Sequence, residues 1–528
     1  MNGIRAGSNW LKTKLNGKEL LCLCLIAGLC IGLLAHGFMF TNKIYNHDDL
    51  EYYADLGNAG LHSGRYFLHF FWKIFSDLST PWLNGILGVL FICGSAFFIC
   101  DAFGLRQRWQ ALIVTAVTQV YPANVSIYCY MYEAHIFMLG LMLASMVPWF
   151  VMRQKKWLGF ILAAFAAMMT TGIYQVFIMY SVGLLILLVI SENRKMLADG
   201  ETAAGRLWGL AVRCAFAALA GVVLYIAGLK LIQIIGHIQL NDYQGINETG
   251  KLTLSLIPRK ILEAYKTVWE FYIEDAPDYV NGRMHIFRSL LAVLAVISCF
   301  GVIICCLLRK AFLQALLVTV CVLLMPLACY GICFMGDQIV IHMITLYPMV
   351  LVLLTPVILI SAEGEKGCSL RKLAAAAMLC LYLGYGFFGV VLCNQAYYRH
   401  YMAFSRAEHL AGRIAMRIEQ LPEYGPGKMV DIVGGLDGTG SLLYHEDYIV
   451  SRFLPFVGVR MAADYTWDYT LPNMLSSVIG LPVEHVGDTW HYTEEETKRI
   501  QDMPCYPQEG SIAYVNDVCI IKFSDEKY

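Results

Sequence analysis

Two adjacent acids, Asp48 and Asp49, stand in the segment Tyr45-Asn-His-Asp-Asp-Leu-Glu51. Neighbouring carboxylates repel, so where both are partly desolvated one keeps its proton to higher pH. Such a pair can act as a general base, coordinate a hard cation, or hold a sugar hydroxyl or an amine. Its ordinary reading is a solvated acidic loop. Asp49 is the preferred base, because an extended segment would turn the two carboxylates opposite ways. A third acid, Glu133, lies in Tyr130-Met-Tyr-Glu-Ala-His135, where an apolar stretch begins. A carboxylate there is also a routine partner for a helix N-terminus. Arg65, after Ser63-Gly64, is a cation that can meet a phosphate or snorkel to lipid headgroups. Tyr174-Gln175, Asp337-Gln338 and His342 place further polar groups at the ends of later apolar runs. Singly, a Gln or His at such an end is more often an interface residue than a ligand. Together, Asp48 and Asp49 are candidate catalytic groups. Arg65, Tyr130, Glu133, His135, Tyr174, Gln175, Gln338 and His342 are candidate substrate-binding groups.

The chain that must position them has 528 residues, 58% hydrophobic and 15% charged. Soluble domains carry about 25% charge. Mean hydropathy is +0.57. A soluble enzyme, a coiled coil and a disordered scaffold are excluded. With 39 basic and 40 acidic residues there is no net field to attract nucleic acid. The composition is that of an all-α polytopic membrane protein.

Eleven apolar runs are long enough, or nearly so, to span a bilayer: 20–40, 82–103, 109–124, 131–151, 156–173, 174–190, 207–230, 286–307, 311–332, 339–360 and 373–393. The first follows Arg5, Lys12, Lys14 and Lys18, has no small-residue cleavage site after it, and reads as a retained helix. Most of the 18 cysteines lie inside such runs as small hydrophobes; Cys505 and Cys519 alone sit in polar sequence, where a bridge is open to them. Loops alternate in charge. Arg106, Lys155, Arg194, Lys310 and Arg371 mark one set, whereas 125–130, 172–175 and 333–338 hold no Lys or Arg. The positive-inside rule makes the basic set and the N-terminus cytoplasmic, and an odd helix count puts the C-terminal tail outside.

Three longer segments, 41–81, 231–285 and 394–528, fall on the outer side. The first two contain aromatic amphipathic stretches, from Arg65 and from Ile257, that suit helices lying in the interface. The third opens with a polar helix from Asn394 to about Leu421, then shows strand-like runs at Lys428–Val433 and Ile512–Phe523. Residues 1–393 therefore read as a transmembrane domain and 394–528 as a small extracytoplasmic α/β domain. No repeat, low-complexity tract or nucleotide-phosphate loop is present.

Several of these residues also form an ordered set. Asp48-Asp49, Ser63-Gly64-Arg65, Tyr121-Pro-Ala-Asn-Val-Ser-Ile-Tyr, Tyr130-Met-Tyr-Glu133 and Gly172-Ile-Tyr-Gln175 resemble the bacterial type II O-antigen glucosyltransferase family. That family belongs to the polyprenyl-phosphate-dependent glycosyltransferases of the GT-C fold. Met503-Pro-Cys-Tyr-Pro and Ser511-Ile resemble its closing segment. The resemblance implies a sugar donor, expected to be glucose, linked to a polyprenyl phosphate and used on the outer face of the plasma membrane, with a glycan as acceptor. The family's first-loop acid would fall on Asp48 or Asp49 and its second-loop acid on Glu133. Met131 stands where a basic or amide residue is usual.

The chemistry this implies needs one base. An acceptor hydroxyl must lose its proton as the bond from C1 to the lipid phosphate breaks, and a placed carboxylate contributes about 10²–10⁴-fold. A cation such as Arg65, or a divalent metal on the acid pair, would stabilise the departing phosphate. A single displacement inverts the anomeric centre. Two other functions compete. A transferase of acyl or phosphate-linked groups would typically carry a lone interfacial His as its base. A lipid-linked glycan flippase or transporter would carry ionisable groups along its helix centres.

Overall fold

The computed structural model describes residues 13–52, 56–75, 78–241, 254–274, 283–335, 342–360, 369–435, 470–486 and 490–525. The helices, in chain order, are α1 (Gly17–Thr41), α2 (His47–Tyr52), α3 (Ala59–His62), α4 (Tyr66–Phe75), α5 (Pro81–Phe103), α6 (Arg108–Val120), α7 (Pro122–Cys129), α8 (Met131–Arg153), α9 (Lys156–Ile173), α10 (Phe177–Ala198) and α11 (Ala204–Gly236). There follow α12 (Ile257–Tyr272), α13 (Met284–Leu308), α14 (Phe312–Cys329), α15 (Val350–Leu359), α16 (Ser369–Glu419) and α17 (Glu494–Asp502). The protein is an all-α polytopic membrane protein with a small α/β region near its C-terminus.

Among the described residues each of the eleven apolar runs is mostly helical, but not all are full spans. Among the described residues nine helices are long and apolar enough to cross a membrane. The run 109–124 became α6 and α7, bent by 45°. Pro122 has no N–H to donate and holds Tyr121 extended (φ −63°, ψ 131°), so α6 must stop at Val120. The Asn124 carboxamide then donates to the freed carbonyls of Thr118 and Gln119, each at 2.7 Å. His36 Nε2 lies 2.8 Å from the same Gln119 carbonyl. A carbonyl only accepts, so Nε2 carries the hydrogen. The run 339–360 became a 3₁₀ turn, Met343–Met349, followed by the ten-residue α15. The break expected near residue 393 is absent, because α16 continues without interruption for 51 residues.

The chain divides into two compact units, Met1–Thr41 with Leu56–Asn394, and Asn42–Asp55 with Gln395–Tyr528. In the first, α5 and α8 run parallel. Asn84 Nδ2 donates to the Met131 carbonyl at 3.0 Å at one end, and Arg153 meets Asp101 at the other. The amphipathic α4 buries Tyr66, Leu68 and Trp72 and leaves Phe70 and Ile74 exposed. Large apolar side chains along α11 and α13, such as Phe216, Ile297 and Phe300, are likewise exposed, as lipid contact allows.

The second unit carries a four-stranded sheet in the order β2-β1-β4-β3, made of β1 (Lys428–Val433), β2 (Val483–His485), β3 (Ile512–Val515) and β4 (Val518–Lys522). β1 pairs in parallel with β2 and β4, and β3 with β4 is antiparallel. The run expected as one strand at 512–523 is therefore a hairpin, turned at Asn516, which adopts φ +54°. Its two-residue Asn-Asp turn suits that left-handed backbone. Val486, Ile500, Val515, Val518 and Ile520 form the core beneath the sheet. Thr493 and Glu496 cap α17 reciprocally. Cys505 and Cys519 are free thiols, and Cys519 is buried.

Candidate active site

Arg65 is placed by the backbone on either side of it. Gly64 adopts φ +71°, a conformation that L side chains rarely take, and a Cβ there would lie 3.1 Å from the Tyr225 hydroxyl and 3.3 Å from Gln175 Nε2. Those two groups clamp the turn. Gln175 Nε2 donates to the Ser63 carbonyl at 2.9 Å, and the Tyr225 hydroxyl donates to the Gly64 carbonyl at 3.1 Å. Tyr66 stacks on Tyr225 with ring centroids 5.6 Å apart. The clamp sets the Arg65 guanidinium over the Tyr174 ring, 4.7 Å from its centroid, where the ring quadrupole favours a cation.

Tyr174 joins Arg65 to Glu133. Burial raises the Tyr174 phenol, Arg65 lowers it and Glu133 raises it, so both charges act on the same hydroxyl. Glu133, 4% exposed, sits in the first turn of α8, and its backbone N–H donates to the Tyr130 carbonyl at 3.1 Å. The structure thus brings Arg65, Glu133, Tyr174 and Gln175 together. Gln175 serves there by positioning the loop that carries Arg65. The ring of His135 packs edge-on against Phe75 at 5.2 Å. The His342 carbonyl accepts from Thr345 N at 2.9 Å, which caps the 3₁₀ turn. Gln338 and Asp337 lie outside the described residues.

The acid pair belongs to the second unit and is helical, not extended. Asn46 Oδ1 accepts from Asp49 N at 2.7 Å, and Asn46 N donates to Asp49 Oδ2 at 3.3 Å. This reciprocal cap starts α2 and separates the two acids. Asp49 is 0% exposed and its carboxylate receives a backbone N–H. The Asp48 side chain is 26% exposed, and its Oδ1 lies 3.4 Å from His47 Nε2. Burial lowers the His47 imidazole below its usual 6.5 while Asp48 raises it, leaving the ring neutral near pH 7. Within this unit, His400 Nε2 meets the Tyr45 carbonyl at 3.2 Å and Phe404 packs edge-on against Tyr45.

Two groups escaped the reading of residue types. Tyr225 was hidden inside the apolar run 207–230, since a tyrosine does not break a hydropathy window. Arg288 lies one turn into α13, inside a run counted as a span, and is 2% exposed. An arginine inside an apolar run was the signal that would have found it. Its guanidinium lies 4.6 Å from the Phe271 ring centroid and within electrostatic range of the Tyr121, Tyr272 and Tyr385 hydroxyls. Ring contacts at 5.5, 6.4 and 5.2 Å connect Tyr121 through Tyr347 and Phe177 to Tyr174. Buried and without a hydrogen-bond partner among the described residues, the Tyr347 hydroxyl lies along this aromatic path. Among the described residues no group of three or more His, Cys, Asp or Glu side chains is arranged to hold a metal ion.

Residues 37–353 match the model of a protein family described as Glucosyl transferase GtrII. The matched stretch contains Asp48, Asp49, Arg65, Glu133, Tyr174, Gln175 and Arg288. No curated protein and no solved structure matches.

Proposed function

The chain belongs to the GtrII glucosyl transferase family, and from that premise we propose that it moves glucose from a polyprenyl-phosphate donor to a cell-envelope glycan. The transfer takes place at the outer face of the plasma membrane, with the N-terminus cytoplasmic and the C-terminal unit outside. The observation that carries this reading is the clamped Arg65, held over Tyr174 inside the stretch that matches the family. A loop whose carbonyls are fixed on both sides presents its cation without further reorganisation, which suits a phosphate that gains charge as it leaves.

The acceptor hydroxyl attacks C1 of the sugar, the C1–O bond to the phosphate breaks, and the anomeric centre inverts. The leaving phosphate takes the bonding pair, and Arg65 answers its charge. An acid of the pair takes the hydroxyl proton. The exposure of Asp48 and the use of Asp49 in the helix cap support Asp48 as that base. Glu133, placed to act on Tyr174, orients the sugar or the acceptor through hydrogen bonds.

The test is transfer by the purified full chain, from polyprenyl-phosphate glucose to a lipid-linked glycan. Wild type should transfer and invert, and Asp48→Asn/Asp49→Asn should fall by about 10²–10⁴-fold while still binding donor. Full transfer by the double variant would overturn the acid-base mechanism. Transfer from a nucleotide sugar but not from the lipid donor would overturn the substrate class.

A further inference from the structure

The far end of α10 from Tyr174 carries a second feature. The 22 residues of α10 span about 33 Å, from Phe177 to Ala198. There α10, α13 and α15 leave a cleft of about 370 Å³, inside the roughly 300–1,000 Å³ of small-molecule sites. Arg194 and Arg309 stand in its lining, and Leu197, Val302 and Leu359 form apolar walls. Of the acids in the adjoining turns, Glu192 and Glu201 are engaged by Lys195 at 2.6 Å and Arg206 at 3.1 Å, and Asp199 caps the end of α10, its N–H donating to the Lys195 carbonyl at 3.0 Å.

The lining is polarised along its length. On α13 it runs from Ser298 to Arg309, about 16 Å at 1.5 Å per residue. Both guanidinium-bearing residues lie toward the helix ends. The other end is apolar, and its Ser298 hydroxyl already donates to the Leu294 carbonyl at 2.7 Å. Gly301 faces the slot with nothing within 4 Å of where a Cβ would stand. A small soluble anion would use only the charged mouth. An amphiphile with an anionic head and an alkyl tail uses the whole cleft.

We propose that this cleft binds an anionic glycerophospholipid, its phosphate between Arg194 and Arg309 and one acyl chain in the slot toward Ser298. Basic pockets between helices on the side of basic loops suit such headgroups. The site is independent of the transfer reaction and of the residues that serve it.

The experiment is native mass spectrometry of the delipidated full chain titrated with phosphatidylglycerol or phosphatidylcholine of the same acyl chains. Wild type should retain phosphatidylglycerol roughly tenfold better or more, through the attraction of two arginines for the anionic headgroup. Arg194→Gln/Arg309→Gln should bring the two lipids to equal retention. Gly301→Leu, which fills open space and keeps both charges, should lose the phosphatidylglycerol adduct with an unchanged thermal midpoint. Lys155→Gln/Lys156→Gln, an equal charge change elsewhere, should leave the preference intact. Equal retention of both lipids by wild type would overturn the proposal. So would equal loss in the lysine variant, or complete displacement of the lipid by inorganic phosphate.

Discussion

Two charged clusters stand at opposite ends of α5 and α8, and they are built differently. At one end Asp101 is closed within the protein. Arg106 pairs with its Oδ1, while Arg153 Nε at 3.1 Å and Trp149 Nε1 at 2.8 Å share its Oδ2. Arg153 also donates to the Asp101 carbonyl at 2.6 Å. At the other end Arg65 is laid on an aromatic face, and the clamping hydrogen bonds go to the carbonyls of Ser63 and Gly64. A carboxylate saturated by three donors ties helix ends together. A cation whose supporting loop is fixed is suited to meeting an anion. On the function proposed above, the difference separates structural charge from chemical charge without reference to position in the sequence.

The acid pair offers the sharpest way to break that distinction, because Asp49 is used in a cap and Asp48 is more open. Asp48→Asn should lower transfer by about 10²–10⁴-fold, whereas Asp49→Asn should mainly cost about 1 kcal/mol of stability through the cap. Rates per folded molecule, measured beside thermal midpoints, decide it; a reversed order would make Asp49 the base. Next in size, Arg65→Gln should cost about 10²–10³-fold in transfer with the thermal midpoint unchanged. Asp101→Asn should do the opposite. It should lower the midpoint by about 1–3 kcal/mol in stability, discounted because Arg153 is 41% exposed, and leave the rate of the folded fraction intact. Loss of rate in Asp101→Asn at constant midpoint would collapse the comparison.

Gln175→Ala removes one side of the clamp, so transfer should fall about fivefold, as for one hydrogen bond of about 1 kcal/mol. Gln175→Glu cannot donate to the Ser63 carbonyl and should not rescue it. The smallest effects are those of pH on α2. With His47 lowered by burial, its contribution to stability is complete above the usual 6.5 and is lost as pH falls from there. Glu51 is raised above its usual 4.5, chiefly by burial, so its contribution runs the other way, weakening as pH rises through its folded value. Thermal midpoints of His47→Gln and Glu51→Gln across pH 4–8 should flatten opposite limbs of the wild-type profile. Limbs unchanged in both variants would remove these groups from it.

Much of the fold was legible because hydropathy is a local property. Among the described residues each apolar run became mostly helix, and the break at Tyr121-Pro122 follows from proline's missing N–H. Lys428–Val433 is a strand, as its short strand-like run suggests. The hairpin at Asn516 was missed because apolar residues on both arms made one continuous run. The unbroken α16 was missed because a change in polarity was taken for an end, although neither Gly nor Pro stands there to stop the helix.

The sequence by itself determined a polytopic helical protein, the kinds of group that could do its chemistry, and their order along the chain. It placed Arg65, Glu133, Tyr174 and Gln175 as candidates. Only the tertiary structure decided that Gln175 and Tyr225 hold the loop of Arg65, that His135 packs on Phe75, and that Arg288 belongs to a tyrosine-lined interior. Helix formation and hydropathy follow from residues near in sequence. Clamps, cation–ring contacts and closed ion networks join residues tens to hundreds of positions apart, and no local pattern encodes which of them will meet.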